Sequence, residues 1–283
     1  MQRISDIGEL RQQVQRWRMA GERTVFVPTM GNLHRGHLRL VEKARDHGQR
    51  VVVSVFVNPM QFNDKDDFDA YPDTLAQDSE QLTGAGVDIL FIPSVADIYP
   101  DGYQQNSQVV VPGLSDILCG EHRPGHFIGV TTVVAKLFNI VLPDAALFGE
   151  KDFQQLMVIR RMVDELCFPI EIVGVATERE SDGLAMSSRN GYLSAAERQQ
   201  APLLYRELEQ AKSRLLLGSE RFEVVEAEAM EVLQEGGFRP EYFTVRSRKD
   251  LSKAEGNVQD LVILAAAWLG KARLIDNICL KSG

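Results

Sequence analysis

Hydrophobic positions in the first part of the chain follow two alternating patterns. The near-continuous runs TVFVPT (24–29) and VVVSVFVN (51–58) are typical of parallel strands that are buried on both faces. Between them, Leu38, Val41 and Ala44 fall on one stripe of a helix. The pattern predicts a strand–helix–strand unit.

This alternation continues as far as residue 177. Further strands are predicted at VDILFIP, AALF and IEIVGVAT, and further helices at 73–84, HFIGVTTVVAKLFNIV and DFQQLMVIRRMVDEL. The apolar stripe of the last helix is formed by Leu156, Ile159, Val163 and Leu166. We therefore predict an α/β fold, with a Rossmann-like open parallel sheet and helices on both of its faces.

The second part of the chain has a different pattern. A polar, glycine-containing stretch, ERESDGLAMSSRNGYL, precedes helical segments at 194–217 and 219–236 and three strand-like runs, YFTVRS, LVILAAAWL and ARLIDNICL. Helices followed by clustered strands predict a smaller α+β domain with an antiparallel sheet. The predicted domains are 1–177 and 178–283, with the boundary inside 176–182.

Composition and charge narrow the class of protein. The 283 residues carry 31 basic and 40 acidic side chains, and 44% of them are hydrophobic, which is typical of a globular chain. The net charge of -9 argues against a broad surface for nucleic acid, and the longest apolar run, 261–269, is shorter than the ~20 residues of a membrane span. Scattered cysteines exclude a disulfide framework and a standard structural zinc site, and they favour a reducing compartment. We expect a cytoplasmic protein without a nucleic-acid or membrane partner.

The candidate chemistry does not lie in the commonest nucleotide or hydrolase motifs. The sequence contains no G-x-x-x-x-G-K-[ST], no G-x-G-x-x-G after the first strand, and neither H-E-x-x-H nor G-x-S-x-G. A P-loop enzyme, a zinc peptidase of that type and a common serine hydrolase are thereby excluded.

The segment PTMGNLHRGH carries two histidines where a predicted loop enters a helix. His34 and His37 are three residues apart, so both imidazoles can lie on one face of the first turn, near backbone N–H groups that attract phosphate. Gly31 and Gly36 would let a ligand approach the backbone. A bare H-x-x-H more often marks two surface histidines, but the carboxyl end of a buried strand is where open α/β sheets bind ligands.

Three further segments carry groups suited to a phosphorylated ligand or a small acid. FGEKDFQQ offers Lys151 to a phosphate and Asp152 to ribose hydroxyls, although a helix N-cap beside a solvated lysine is the better interpretation of this segment alone. MSSRN, with adjacent serines and Arg189, would form either a phosphate clamp or a polar turn. NPMQF projects Gln61, an uncharged donor and acceptor for a hydroxyl or carboxylate. Three of the four segments end predicted strands of one sheet, where one ligand could contact them.

The combination of these segments resembles a known family. H-x-G-H after the first strand, with a serine-rich basic loop, is similar to the nucleotidyl-transferase superfamily that includes class I aminoacyl-tRNA synthetases. The set PTMGNLHRGH, FVNPMQF, RPGHFIGVTTVV, FGEKDFQQ and LAMSSRNGYL is narrower and resembles the pantothenate synthetase (pantoate–β-alanine ligase) family. These motifs follow the family's order between residues 28 and 193, and the C-terminal strands match more loosely.

The resemblance implies an ATP-dependent ligase that condenses pantoate with β-alanine to give pantothenate, AMP and pyrophosphate. The implied route belongs to coenzyme A precursor biosynthesis and passes through an enzyme-bound pantoyl-adenylate. The enzyme would be a homodimer, and Mg²⁺ would be bound mainly through the phosphates of ATP, with Asp78 as an outer helper and no protein metal site. The pantoate carboxylate is itself the nucleophile in this route, which agrees with the absence of a serine or cysteine nucleophile motif.

The resemblance also implies roles for individual residues. Gln61 and Gln155 would bind pantoate, and His126 would lie near the β-alanine subsite. The implied catalytic groups are His34, His37 (a candidate acid), Lys151 (at the transferring phosphate) and Arg189. The implied ATP-binding residues are Met30, Gly31, Asn32, Leu33, His34, Arg35, Gly36, His37, Gly149, Glu150, Lys151, Asp152, Glu178, Met186, Ser187, Ser188 and Arg189.

Other functions are compatible with parts of this pattern. A nucleotidyl transferase that adds AMP or CMP to a phosphorylated small molecule would call for Arg or Lys at the positions of Gln61 and Gln155. A non-catalytic protein on the same fold would be expected to lack Lys151 or the histidines. An aminoacyl-tRNA synthetase would need an anticodon-binding domain, for which the remaining chain has no room.

Overall fold

The computed structural model describes residues 1–62, 68, 71–218, 221–255 and 260–280. The chain divides into two compact units. The first comprises Met1–Glu150 and Gln155–Ala176, and the second comprises Lys151–Gln154 and Thr177–Gly283. The domain boundary proposed from the sequence, between residues 177 and 178, stays a proposal.

A six-stranded parallel sheet forms the centre of the first unit. Its spatial order is β1-β4-β3-β2-β5-β6, and every neighbouring pair is parallel. The strands are β1 (Gln2–Ile4), β2 (Thr24–Thr29), β3 (Arg50–Val55), β4 (Ile89–Phe91), β5 (Ala145–Gly149) and β6 (Glu171–Val175).

Helices connect these strands. Short 3₁₀ turns at Pro59–Gln61 and Glu150–Asp152 follow β3 and β5. The α-helices are α1 (Ile7–Met19), α2 (Arg35–Ala44), α3 (Leu75–Gly84), α4 (Val95–Ile98), α5 (Cys119–His122), α6 (His126–Val141) and α7 (Phe153–Glu165).

Strand β2 shows why the sheet is covered on both faces. Because successive side chains of a strand point to opposite faces, Val25 and Val27 join the apolar cluster that contains Val41 of α2. Phe26 points the other way and meets Phe138 of α6 edge to face, with ring centroids 6.4 Å apart. All of these side chains are buried, so neither face of β2 at these positions is exposed to solvent.

The strand order places a topological switch point between β2 and β5. From β2 the chain proceeds to β3 and β4 on one side, and later returns to β5 and β6 on the other. In open α/β sheets, ligands bind in the crevice outside the carboxyl ends of the strands at this point. The segments after Thr29 and after Gly149 begin there.

The second unit contains a three-stranded antiparallel sheet with helices. The sheet order is β7-β8-β9, and its inward side chains share one apolar cluster with the helices, including Leu208, Val225 and Ile263. The elements are α8 (Ala195–Gln200), α9 (Leu203–Leu216), α10 (Phe222–Glu235), β7 (Arg239–Ser247), β8 (Leu261–Leu269) and β9 (Ala272–Leu280).

The predicted fold class is confirmed, with corrections to single elements. The single helix predicted at 194–217 is wrong, because the segment forms two helices, α8 and α9. They are separated at Pro202, which has no backbone N–H to continue the helical hydrogen bonds. The strand predicted at 51–58 ends at Val55. Leu166 was expected on a buried stripe but is 52% exposed, since α7 ends one residue earlier.

Candidate active site

A glycine turn leads from β2 into α2. Gly31 has φ +82° and Asn32 has φ 52°, conformations that glycine and asparagine tolerate best. A Cβ on Gly31 would lie 3.1 Å from both Asp78 Oδ2 and Val55 Cγ1. The position therefore requires glycine for its backbone angle and for its close surroundings.

A buried carboxylate fixes the shape of this turn. Asp78 of α3 is 1% exposed. It accepts hydrogen bonds at 2.9 Å from the backbone N–H groups of Asn32 and Leu33 and from the hydroxyl of Thr74. Its oxygens are thus committed to protein donors, which makes Asp78 a brace of the turn. Sequence reasoning gave it only an outer role near Mg²⁺.

The two histidines form the N-terminal cap of α2. The ring of His34 accepts from the backbone N–H of Gly36 at 3.1 Å, and the ring of His37 accepts from the backbone N–H of His34 at 3.3 Å. The rings lie 4.1 Å apart between centroids. The arrangement is a capping box in which histidines replace the usual Ser and Glu, at the positive end of a helix dipole.

Gln61 lies beside the same turn. The residue ends the 3₁₀ turn after β3, and its side-chain Nε2 is 3.1 Å from the sulfur of Met30. Met30 begins the segment that leads to the histidines. The structure therefore brings together two of the sequence-predicted segments within the first unit, one after β2 and one after β3.

Asn58 is a site residue that sequence reasoning missed. It is 1% exposed, and its Nδ2 donates to Gln61 Oε1 at 3.0 Å and to the carbonyl of Gly129 at 3.1 Å. The hydroxyl of Tyr99 donates to Asn58 Oδ1 at 2.7 Å, and burial raises the pKa of that hydroxyl. These bonds fix the orientation of the Gln61 amide. The available signal was the asparagine in FVNPMQF, three residues before the glutamine.

Helix α6 packs closely against the Gln61 turn. A Cβ on Gly129 would lie 2.6 Å from the carbonyl oxygen of Met60, so the helix and the turn can pack this closely only with glycine there. His126, at the start of α6, has its Nδ1 2.8 Å from the carbonyl oxygen of Gln61. This contact gives His126 a place next to the turn, while the predicted β-alanine subsite stays a prediction.

Gly149, Glu150 and Gln155 also belong to the first unit. Gly149 ends β5 and Glu150 begins the following 3₁₀ turn, so both lie at the switch point. Gln155 lies in the first turns of α7 and is half-buried. The third predicted strand-end segment therefore starts on the same sheet as the other two.

Lys151 and Asp152 group with the second unit. The Lys151 side chain is 17% exposed and its Nζ is 3.9 Å from a carboxylate oxygen of Asp152, which is 46% exposed. The side-chain amide of Asn277 on β9 donates to the main-chain carbonyl of Lys151 at 2.9 Å. The lysine is thus held at its backbone and is not a solvated surface side chain.

Residues 178–186 form a hairpin, and a 3₁₀ turn follows at Ser188–Tyr192. The N–H of Met186 donates to the carbonyl of Glu178 at 2.9 Å, which places those two predicted ATP-binding residues opposite one another. Ser187 caps the turn Ser188–Tyr192 by accepting from the N–H of Arg189 at 3.2 Å. The polar-turn interpretation of MSSRN therefore holds locally, and its proposed phosphate contacts are compatible with it.

The described residues hold neither a preformed metal cluster nor a membrane-spanning helix. In those ranges, no group of three or more His, Cys, Asp or Glu side chains is arranged to hold a metal ion. No helix within the same ranges is long and apolar enough to cross a membrane.

The first unit has the architecture of a nucleotide-binding α/β protein, with a switch point, a glycine turn and a helix N-terminus at one sheet edge. The family model for pantoate-β-alanine ligase matches residues 2–279 of the chain. The chain therefore belongs to the pantoate–β-alanine ligase family, and the predicted family and ligase class are confirmed.

Individual relatives agree with this assignment over the whole chain. The pantothenate synthetase of Shewanella loihica is 56% identical over 281 residues, covering 99% of each chain. That of Nitrosococcus oceani is 51% identical, covering 98% of this chain and 97% of the relative. Among solved structures, pantothenate synthetase from Thermus thermophilus has a TM-score of 0.92 at 45% identity, with full coverage of both chains.

A further solved structure carries ligands. The pantoate-β-alanine ligase of Francisella tularensis, complexed with beta-gamma ATP and β-alanine, has a TM-score of 0.84 at 34% identity and covers 100% of this chain and 99% of its own.

Proposed function

We propose that this family member condenses pantoate with β-alanine at the expense of ATP, and that it does so through an enzyme-bound pantoyl-adenylate. One observation carries the proposal: the neutral amide of Gln61 is oriented by Asn58 and lies beside the turn that carries His34 and His37. A nucleotide-binding turn next to an uncharged hydrogen-bonding group suits a hydroxy acid as co-substrate.

The chemistry explains why ATP is required. A carboxylate does not react with an amine at neutral pH, because its carbon is a poor electrophile. Attack of a pantoate carboxylate oxygen on the α-phosphorus forms a new O–P bond and breaks the bond to pyrophosphate. The acyl carbon then carries AMP, which is a good leaving group. The amine of β-alanine then attacks the acyl carbon and AMP departs. The protein needs to align the reacting atoms and stabilise the charge on the phosphate oxygens.

Residues of the first unit supply the turn and its donors in this proposal. The segment Met30–His37 binds ATP, and His34 and His37 donate to its phosphates through Nε2–H, with His37 the candidate acid. Gly149 and Glu150 contact the nucleotide at the end of β5. Gln61 and Gln155 bind the hydroxyl and carboxylate of pantoate.

Residues of the second unit supply positive charge and further backbone contacts. Lys151 neutralises the transferring phosphate as a point charge, and Asp152 accepts from the ribose hydroxyls. The Ser187–Arg189 segment binds the pyrophosphate part, and the main chain at Glu178 and Met186 borders the adenine. The hairpin pairing of Glu178 with Met186 supports a shared role for these two residues.

The remaining parts of the proposal concern the ion, the assembly and the compartment. Mg²⁺ is carried by the ATP phosphates, since it retains water and binds through substrate phosphates more readily than in a protein cage. The commitment of the Asp78 carboxylate to three protein donors supports this assignment. We further propose a cytoplasmic homodimer, on the strength of the family resemblance. The Francisella tularensis complex supports ATP and β-alanine as substrates.

The proposal is tested by measuring AMP release from ATP by the purified protein. AMP should be released at a catalytic rate when pantoate and β-alanine are both supplied, together with an equal amount of pantothenate. A phosphorylated acceptor in place of pantoate is the control for a nucleotidyl transferase. Transfer of AMP from ATP, or of CMP from added CTP, to that acceptor with no β-alanine dependence would replace the proposed reaction.

A further inference from the structure

A buried ion pair lies at the base of the 178–186 hairpin. The guanidinium of Arg179 donates two hydrogen bonds to the carboxylate of Asp276 on β9, at 2.6 and 2.9 Å. The Asp276 side chain is 3% exposed and that of Arg179 19%. The guanidinium also stacks on the ring of Tyr205 of α9, 3.7 Å from its centroid. This bidentate geometry allows one orientation of the pair.

On one side the pair fixes the hairpin that leads into Ser187–Arg189. Arg179 Nη1 also donates to the carbonyl of Gly183 at 3.0 Å, across the hairpin. Gly183 has φ +93°, and a Cβ there would lie 2.5 Å from the ring of Tyr205. Arg179, Gly183 and Tyr205 therefore pack against one another and fix the shape of the hairpin.

On the other side the pair reaches the backbone of Lys151 through the next residue of β9. The N–H of Asn277 donates to Asp276 Oδ1 at 2.8 Å, and its side-chain amide donates to the carbonyl of Lys151 at 2.9 Å. Asn277 is 6% exposed. The Asp276 carboxylate is thus linked to the hairpin through Arg179 and to the Lys151 backbone through Asn277.

We propose that Asp276 and Asn277 are positioning residues that hold Lys151 in the geometry required for adenylation. The inference rests on the proposed function, because it assumes that Lys151 acts on ATP. A buried ion pair is by itself weak evidence for a stabilising role, since a well-packed apolar replacement is often equally stable. An apolar replacement of the pair could provide neither the bond from Arg179 to the Gly183 carbonyl nor the acceptor that Asp276 offers to the N–H of Asn277. A misplacement of about 1 Å in a reacting group can lower a rate by roughly 10²-fold.

The test is a double-mutant cycle on pantoate-dependent exchange of labelled pyrophosphate into ATP. Asn277→Ala should lower the exchange rate about 10- to 100-fold, with the far-ultraviolet spectrum retained and the protein still folded at the assay temperature. In a Lys151→Ala background the same substitution should lower the rate less than twofold, because Asn277 acts through the lysine. Glu228→Gln, which weakens an exposed ion pair of the same unit, is the matched control and should not change the rate.

Each alternative outcome has a defined meaning. Equal fold losses in the wild-type and Lys151→Ala backgrounds would show a general structural role and overturn the proposal. An Asn277→Ala protein with wild-type exchange would overturn it as well. If that variant fails to fold, Asn277→Asp, which has the same shape but replaces the amide donor by an acceptor, is measured in the same cycle. Absence of exchange in the wild-type protein would instead refute the proposed function.

Discussion

His34 and His37 cap one another across the first turn of α2: the backbone N–H of His34 donates to Nδ1 of His37 at 3.3 Å, while His34 Nδ1 accepts from Gly36. With Nδ1 engaged as an acceptor, the proton of each neutral ring resides on Nε2. The capping bonds therefore set the tautomer that presents Nε2–H as the donor proposed for the ATP phosphates.

This relationship predicts that two substitutions of His37 differ in effect. His37→Gln retains a donor near the Nε2 position, and His37→Asn retains an acceptor near Nδ1 for the cap. Loss of one preorganised donor to a developing charge costs about 10²–10³ in rate, so His37→Asn should lose that much adenylation and His37→Gln clearly less. Pyrophosphate exchange measures the rates. The reverse order would make the cap, and not the donor, the function of His37.

Gln61→Ala should raise the KM for pantoate more than the KM for ATP. A neutral hydrogen bond to a buried ligand is worth roughly 1–2 kcal/mol, which corresponds to about 5- to 30-fold in affinity. Steady-state kinetics with each substrate varied in turn provides the comparison. An unchanged KM for pantoate would show that Gln61 does not bind pantoate.

Asp78→Asn should impair the glycine turn and, through it, ATP binding. The amide offers one acceptor oxygen in place of two, so at least one donor among Asn32, Leu33 and Thr74 loses its partner, at a cost of about 1–3 kcal/mol. Urea unfolding should show that loss, and the KM for ATP should rise. Asp97→Asn, at an exposed helix cap of the same unit, is the control. If Asp78→Asn lost stability as expected but kept a normal KM for ATP, the glycine turn would not take part in ATP binding.

Arg179→Met should make stability depend more strongly on pH. Burial raises the pKa of the Asp276 carboxyl, and the Arg179 guanidinium opposes that rise, so removing the arginine raises the pKa further. Between the unfolded and the folded pKa the native state binds more protons than the unfolded state, so the free energy of unfolding falls as pH rises. The variant should lose about 3–5 kcal/mol at neutral pH, and less as the pH is lowered towards the unfolded pKa.

Urea unfolding of wild type and variant at several pH values measures this difference. Asp276→Asn in the Arg179→Met background removes the titrating group and should abolish the added pH dependence. An equal deficit at every pH would show that packing against Tyr205, and not the charge of Asp276, carries the effect.

Elements with strong hydrophobic patterns could be predicted from the sequence. The strand at 24–29 and the helix at 126–141 have the predicted bounds, because both are apolar along nearly their whole length. Strand β1 and helix α1 were missed. Strand β1 has only three residues, whereas α1 carries a regular buried stripe of Leu10, Val14 and Trp17 behind the Asp6 N-cap and could have been predicted. The short β1 depends on its pairing with β4, which local pattern does not reveal.

Some residues of the candidate site could likewise be predicted from the sequence, and others could not. The histidines and Gln61 could be identified because they follow strands of recognisable pattern, where open sheets bind ligands. Asn277 and the bracing role of Asp78 could not, since they depend on hydrogen bonds to residues distant in sequence. The association of Lys151 with β9 spans 126 positions between Lys151 and Asn277, and no local spacing could indicate it.

In the proposed route, adenylation of pantoate precedes the arrival of the amine. The most direct test incubates the purified protein with pantoate, MgATP and labelled pyrophosphate in the absence of β-alanine. Label should enter ATP at a rate that depends on pantoate, because pantoyl-adenylate forms reversibly without the amine. Exchange that strictly requires β-alanine would contradict the two-step route.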